Sequence, residues 1–277
     1  MQSPPKLFDT DALAMHRRRA ELGAQDDWFL HDYAIDVVQE RLQEVNRTFT
    51  DTAIVGWQGA QWNEKLGLSA AVVPDNETLD LAQNSCDLII HALSLHWSND
   101  PVGQLVQMRR ALRPDGLMIA VMFGGQTLQE LRIAFAQAES RVLGGISPHI
   151  TPMGEIRDLG GLLQRAGYAL PVADSMDVNL SYQSPLQLMH ELRNMGETNV
   201  LEQRQKRMMR RDVLAAMLDE YQSAFSTPDG RVNATMEFVF LTGWAHSDTQ
   251  QKPLRPGSAQ SRLAQALGVA ERNLDND

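Results

Sequence analysis

The chain has 277 residues, 43% of them hydrophobic, which is enough to bury the core of one large α/β domain or two small ones. A net charge of −10 and a pI near 5.2 argue against a nucleic-acid binder, because phosphate recognition depends on clustered Lys and Arg. No apolar run reaches the roughly 18 residues of a membrane span, and no targeting segment is visible. With a single cysteine, Cys86, the chain fits a reducing compartment, so we expect a cytoplasmic protein without membrane insertion.

The first part of the chain predicts a helical cap and an opening strand. Residues 7–48 have the pattern of two helices, and Thr52 to Val55 is the natural first strand, followed by the loop GWQGAQ with Gly56 and Gly59. Only 15 residues separate Gly59 from Asp75, whereas each βαβ crossover needs about a dozen or more. We therefore predict that one early strand of the sheet is missing.

The sequence pattern of residues 86–125 predicts one βαβ unit, in which a helix connects two strands. The runs at residues 88–90 and 117–123 are apolar without alternation, which is typical of parallel strands covered on both faces. Between them, apolar residues recur at helical spacing, at Val102, Leu105, Val106, Met108 and Leu112. Ligands of such sheets bind beyond the carboxyl ends of the strands. We therefore expect the site at residues 92–100 and 124–127.

The remainder predicts further α/β elements and an insertion. In chain order these are a helix at 128–142 opened by Thr127, a loop at 144–153, a helix at 156–166, an outer strand at 172–180, helices at 184–226 and a hairpin-paired strand at 234–245. A linker and a short helix at 261–267 follow. We divide the chain into a cap (1–48), an α/β domain (49–248) whose insertion (184–226) covers a pocket, and a tail (249–277).

Several motifs resemble one superfamily. Asp87 and the later LHW and RPDG sequences are similar to the second half of class I S-adenosylmethionine methyltransferase domains. Longer motifs resemble the branch of that superfamily that contains the assembly factor of respiratory complex I, an arginine hydroxylase; these are MFGGQTLQELR (122–132), ISPHITP (146–152), DLGGLLQRAGY (158–168) and LRNMGETN (192–199). The resemblance covers most of residues 7–260.

This resemblance implies a fold and a cofactor. The fold is a Rossmann-like α/β domain, with a mainly parallel sheet and an antiparallel edge. The cofactor is S-adenosylmethionine, with expected contacts at Gly56, Gly59, Asp75, Leu95 and Trp97. The loop departs from the family pattern, since an acid and two glycines are replaced by Ile54, Gln58 and Ala60. We therefore expect weak or absent cofactor binding.

The role of Asp75 depends on which strand is missing. The residue order from Asp75 to Asp87 resembles the third strand of the family, which would turn Asp75 towards the adenine, and we prefer this register. The distance of 19 residues from Gly56 instead matches an acid that binds the ribose. A third interpretation makes Asp75 a cap of the following turn.

Methyl transfer needs alignment more than an acid or a base, so candidate residues are taken from the ligand edge. His96 and Asp100 are the catalytic candidates, and the substrate-binding candidates are Phe123, Gly124, Gln126 and His149. An arginine-bearing substrate would also require carboxylates, for which Glu130, Glu191 and Glu197 are available. No metal is predicted, because His96, Asp100 and His149 lack a paired spacing. Structural alternatives are that Trp97 covers the core and that His149 makes an ordinary hydrogen bond.

Three functional hypotheses follow. The favoured one is a member of the complex I assembly factor lineage that modifies or chaperones a protein substrate at an arginine, with a complex I subunit as candidate partner. The second is an active S-adenosylmethionine-dependent methyltransferase that acts on a carrier protein or a small carboxylate. The third is a non-catalytic binding or assembly module.

Overall fold

A computed structural model describes residues 6–23 and 28–250. Residues up to His246 form one compact unit, and a second unit begins at Ser247. The predicted helix at 261–267 and nearly all of the predicted tail lie outside the described residues. The proposed boundaries at residues 48 and 248 stay predictions.

The described residues form helices and strands that are mixed along the chain, as in an α/β domain. The helices are α1 (Thr10–Glu21), α2 (Phe29–Glu44), α3 (Gly59–Lys65), α4 (Pro101–Ala111), α5 (Gln129–Leu143), α6 (Ile156–Arg165), α7 (Pro185–Asn194) and α8 (Arg211–Phe225). The strands are β1 (Thr52–Val55), β2 (Ala71–Val73), β3 (Cys86–His91), β4 (Leu112–Phe123), β5 (Ala169–Tyr182) and β6 (Val232–Trp244). A short 3-10 turn occupies Leu95–Trp97.

These strands form a six-stranded sheet in the order β2, β1, β3, β4, β6, β5. The first four are mutually parallel, and β6 pairs antiparallel with both β4 and β5. The predicted Rossmann-like class, mainly parallel with an antiparallel edge, is confirmed. Within the described residues a single short strand, β2, stands between α3 and β3, as expected if one early strand is missing.

Two apolar layers cover the sheet and explain the uninterrupted apolar runs. Ile54 and Ile90 belong to one buried cluster, together with Phe123, whereas Val55 and Ile89 belong to the other. Because successive strand side chains point to opposite faces, a strand that is covered on both faces needs apolar residues at every position. The carboxyl ends of these strands are therefore held in a fixed arrangement at one edge.

Two predicted element boundaries are wrong. Pro114, Asp115 and Gly116 are typical turn residues and predict a turn that closes α4, but α4 ends at Ala111 and these residues already belong to β4. The pairing of β3 with β4 shifts register at this point, and Asp115 takes a positive φ of 63°. Thr127 was expected to open α5. Instead, Leu128 is the N-cap residue, and the Thr127 hydroxyl donates to the carbonyl of Glu237.

Candidate functional site

The two glycines of the loop after β1 are required by packing within the chain. Gly56 has φ of 148°, and a Cβ there would lie 3.0 Å from the carbonyl oxygen of Ala92. A Cβ at Gly59 would lie 2.7 Å from Cγ1 of Val72, so this glycine allows α3 to approach β2. In dinucleotide folds a further glycine lets the backbone approach the ligand. Gln58 lies between Gly56 and Gly59, so no glycine is available there for that purpose.

Asp75 follows the strand that lies directly beside β1. Val73 of β2 pairs with Val55 of β1, whereas the third-strand register would place one more strand between Asp75 and β1. The preferred adenine-facing register is therefore wrong for this sheet, because fewer residues are available than two crossovers need. The position matches instead the acid of the ribose-binding register.

The Asp75 carboxylate is already paired with an arginine of α1. Arg17 donates to both oxygens, at 2.9 Å to Oδ1 and 2.7 Å to Oδ2, and the Asp75 side chain is only 8% exposed. Burial alone would raise the pKa of this carboxyl, but the charge and hydrogen bonds of Arg17 outweigh burial and hold the pKa below its usual value. The run of charged residues Arg17 to Arg19 predicts an exposed face of α1, and this prediction is wrong for Arg17, whose side chain is 14% exposed.

Other side chains crowd the same edge. The Trp57 ring lies 5.1 Å from the Trp28 ring, and the guanidinium of Arg17 lies 5.5 Å from the Trp57 ring centroid. A Cβ at Gly196 would approach Trp57 to 3.3 Å. As these residues stand they do not fit S-adenosylmethionine, because the acid is engaged and the backbone-exposing glycine is absent.

Several buried polar atoms near this edge have no hydrogen-bond partner within the described part of the chain. They are Nε2 of His31, Nδ1 of His91, Oγ of Ser94 and Nδ1 of His96. Burial lowers the pKa of both His31 and His91 to about 4, so both imidazoles are neutral at neutral pH. Nε2 of His91 lies 3.0 Å from Oε1 of Gln104.

A separate cavity of about 200 Å³ lies beyond the carboxyl end of β4. Its lining is mostly apolar and aromatic and draws on β4, β6, α5, α7 and the loops beside them. The lining residues that matter for its chemistry are Trp97, Phe123, His149, Thr151, Glu197 and Asn199. The volume is below the roughly 300–1,000 Å³ of pockets for drug-sized ligands. It therefore matches a single side chain or a short acyl group better than a nucleoside.

Glu197 brings a fixed carboxylate to this cavity. Nε1 of Trp97 donates to its Oε2 at 3.0 Å, and Nε2 of His96 lies 3.2 Å from the same oxygen. The Glu197 side chain is 8% exposed. Among the described residues no hydrogen bond reaches the second oxygen, Oε1. The two contacts to Oε2 thus hold the carboxylate in place, and Oε1 is left available to a ligand.

The catalytic candidates have structural partners. His96 packs against the rings of Trp97 and Phe123, with centroids 5.1 and 4.9 Å away, and its side chain is 1% exposed. Asp100 is the N-cap of α4 and accepts a hydrogen bond from the backbone of Gly103. His96 is not among the residues that line the cavity, and it contacts three that are, Glu197, Trp97 and Phe123. The cap contact explains Asp100 without a catalytic role.

The remaining predicted residues divide between the cavity and the core. Phe123, His149 and Trp97 line the cavity, although Trp97 was expected at the cofactor. Leu95 is 1% exposed and belongs to the apolar core. Gly124 and Gln126 contact Glu237, whose carboxylate accepts from the Gln126 backbone at 2.8 Å. These two residues are thus accounted for by contacts with β6, and the cavity lining does not include them.

His149 makes an ordinary hydrogen bond, which was the structural alternative to a role in substrate binding. Its Nε2 lies 2.8 Å from Oε1 of buried Glu139, and its ring stacks on Phe135 at 4.1 Å. Of the other carboxylate candidates, Glu130 is buried against Thr235, and Glu191 accepts from Gln187 on its own helix. Glu197 alone of the three candidates lines the cavity.

Sequence reasoning missed Thr151, Thr198 and Asn199 as cavity residues. The motifs ISPHITP and LRNMGETN contain all three, so the signal was present in the segments but not at individual positions. Across residues 6–23 and 28–250, no group of three or more His, Cys, Asp or Glu side chains is placed to hold a metal ion. In the same residues no helix is long and apolar enough to cross a membrane.

Comparison with known proteins adds the following matches. Residues 25–120 match the model of a family described as a methyltransferase domain. The chain is 37% identical over 204 residues to the mitochondrial arginine-hydroxylase NDUFAF5 of Danio rerio, which covers 74% of this chain and 63% of that protein. It is 32% identical over 188 residues to the malonyl-[acyl-carrier protein] O-methyltransferase of Laribacter hongkongensis, covering 68% of this chain and 61% of that protein. The chain thus spans somewhat less than two thirds of these relatives.

Among solved structures, the YcgJ protein of Bacillus subtilis is similar with a TM-score of 0.48 and 10% sequence identity. The match covers 78% of this chain and 99% of that chain.

Proposed function

Because the chain belongs to the methyltransferase superfamily, in the branch of the mitochondrial arginine-hydroxylases, we propose that it binds an arginine side chain of a protein substrate in the cavity at Glu197. Binding of this side chain precedes either modification or chaperoning of the substrate. The candidate partner, from the resemblance of the motifs, is a subunit of respiratory complex I. The branch relationship supports the substrate class, and the cavity supports the place.

The single observation that carries this proposal is the orientation of Glu197. Its Oε2 is fixed by Trp97 and His96, and its Oε1 has no partner among the described residues. A guanidinium offers five donors in a planar fork, and a carboxylate in a water-poor site is its strongest acceptor. The hydroxyl of Thr151, which also lines the cavity, is buried without a hydrogen-bond partner in residues 6–23 and 28–250 and offers a second acceptor. The apolar walls suit the methylene stem of the same side chain.

The relatives that methylate a malonyl-carrier protein favour a second candidate, a carboxylate acceptor with a short acyl chain. The cavity volume of about 200 Å³ would accept such a group. A carboxylate ligand would, however, lie beside the carboxylate of Glu197, and two like charges in a low-dielectric site repel each other. The charge of the cavity therefore favours the arginine.

The cofactor and the compartment belong to the same proposal. S-adenosylmethionine is the cofactor that the fold implies, but the residues at the edge beside β1 do not fit it as they stand, so no step of the proposal uses it. We place the protein in the cytoplasm. Its one cysteine, Cys86, is buried and free, which is consistent with a reducing compartment.

The test is a calorimetric titration with arginine capped at both its amino and carboxyl groups. The wild type should bind capped arginine, and Glu197→Gln should weaken binding by about 10- to 100-fold, because a charge-assisted hydrogen bond is worth roughly 1.5–3 kcal/mol. Capped citrulline keeps the shape of the side chain and loses the charge. It should bind to the wild type and to Glu197→Gln about as weakly as capped arginine binds to Glu197→Gln.

Glu191→Gln is the matched control, since Glu191 lies six positions earlier in the chain, on α7, and accepts a hydrogen bond from Gln187 at 3.3 Å. It should bind capped arginine like the wild type. A titration in which a malonate monoester, which keeps one free carboxylate, binds more tightly than capped arginine would support the carboxylate acceptor instead. No binding of either compound by the folded wild type would reject both candidates.

A further inference from the structure

The amino-terminal segment crosses the strand edge at which a nucleoside would bind. Ahead of α1, the backbone amides of Leu7 and Phe8 both donate to Oδ1 of Asn99, at 2.8 and 2.9 Å. Phe8 forms an isolated antiparallel bridge with Leu201, and its ring meets the edge of Trp97 at 5.4 Å. The segment is therefore attached to the loop after β3 and to the insertion.

The middle of α1 contributes the ion pair with Asp75. Two N–H groups of Arg17 donate to the two oxygens of this carboxylate, each at a hydrogen-bonding distance of 2.9 Å or less. Two vicinal hydroxyls of a ribose can donate to the same two oxygens, and an acid at this position of the sheet binds a ribose in related folds. Arg17 and a ribose diol therefore compete for the same acceptors.

We propose that α1 is a latch whose Arg17 occupies the ribose-binding acid, so that a nucleoside ligand binds at this edge only when α1 is released. The unpaired atoms near Asp75 support the proposal. Ser94 and His91, which are 1% and 0% exposed, each keep one polar atom without a hydrogen-bond partner among the described residues. Polar atoms buried without a partner are unfavourable, and a polar ligand would satisfy them.

The latch also contacts the other site. His16, next to Arg17, lies 2.5 Å through its Nδ1 from the hydroxyl of Thr198, which lines the cavity beside Glu197. Release of α1 would therefore loosen one wall of the cavity. The inference about Asp75 rests on Arg17 alone, however, and does not depend on the proposed arginine site.

The test is a titration of the full chain with S-adenosylhomocysteine. The wild type should bind with a dissociation constant on the order of millimolar or weaker, because the apparent affinity is the intrinsic affinity multiplied by the small fraction of molecules in which α1 is released. Arg17→Gln, which cannot form a charged bidentate pair, should bind at least about tenfold more tightly. Arg18→Gln, an exposed neighbour on α1, should behave like the wild type.

Two results would overturn the latch. One is a folded Arg17→Gln variant that binds no more tightly than the wild type. The other is a wild-type protein that binds in the micromolar range while the amides of residues 10–21 stay as protected from hydrogen exchange as in the free protein. The exchange measurement needs no variant. At the S-adenosylhomocysteine concentration at which the titration shows at least half of the wild-type protein bound, the latch predicts faster exchange in α1, and unchanged exchange contradicts it.

Discussion

The indole nitrogen of Trp97 lies 3.0 Å from Oε2 of Glu197, although 100 positions separate the two residues in the chain. Trp97 comes from the loop after β3, and Glu197 follows α7 of the insertion, so this hydrogen bond joins the parallel sheet to the helices that close the cavity. His96 shares the same acceptor at 3.2 Å. The position of the cavity carboxylate thus depends on both neighbours.

Replacement of Trp97 by phenylalanine removes this hydrogen bond and keeps an aromatic wall. We expect Trp97→Phe to weaken binding of capped arginine by about tenfold, since a hydrogen bond to a charged acceptor contributes roughly 1.5–3 kcal/mol and His96 retains part of it. Trp244→Phe, at the start of the β4 pairing and far from the cavity in the sheet register, should leave the affinity unchanged. Equal affinities of Trp97→Phe and the wild type would show that the hydrogen bond does not position the carboxylate.

Stability should fall in mild acid because of two buried histidines. The pKa values of His31 and His91 are lowered to about 4 by burial, so below pH 6.5 the unfolded chain binds protons that the native chain does not. Their contribution is complete above the unfolded pKa and is lost as the pH falls towards 4. The free energy of unfolding should drop by about 2 kcal/mol per histidine by about pH 5.

Urea denaturation at several pH values measures the slope of the free energy of unfolding against pH. His91→Gln should reduce the slope between about pH 7 and pH 5 by roughly half, whatever its effect on absolute stability. His190→Gln, at an exposed position of α7, should leave the slope unaltered. A His91→Gln protein with the full wild-type slope would mean that His91 titrates normally in the native state.

Packing of α3 against β2 can be tested at Gly59. A Cβ there would lie 2.7 Å from Cγ1 of Val72, so Gly59→Ala should lower the free energy of unfolding by about 1–3 kcal/mol. Val72→Ala in the same chain should recover most of that loss, because the clashing methyl is gone. Gly161→Ala in α6, where a Cβ meets nothing within 4 Å, should be neutral or stabilising by up to about 1 kcal/mol. A neutral Gly59→Ala would be inconsistent with the register of β2.

Local patterns were sufficient for most of the fold. Apolar runs identified β3 and β4, since both faces of these strands are buried. Asn99 or Asp100 before Pro101 predicts the start of α4, and the structure has Asp100 as the capping residue. The count of residues between Gly59 and Asp75 correctly left room for one strand. It could not tell which strand remained, because position in the sheet depends on pairing with β1.

The site was harder to predict, because its contacts join distant segments. Arg17 resembles its charged neighbours in sequence, and only the position of Asp75, 58 residues away, distinguishes it. Glu197 was one of three candidate carboxylates, and burial of Glu130 against Thr235 could not be inferred from spacing. His96 and Trp97 lie in the loop after β3, as the sequence predicts, but Glu197, which both contact, lies in the insertion.

A crystal structure of the protein with capped arginine tests the central claim most directly. The account predicts a guanidinium in the cavity, with one nitrogen about 3 Å from Oε1 of Glu197 and the Arg17 to Asp75 ion pair intact. A guanidinium bound at Asp75 in place of Arg17, or an empty cavity at saturating ligand, would contradict it.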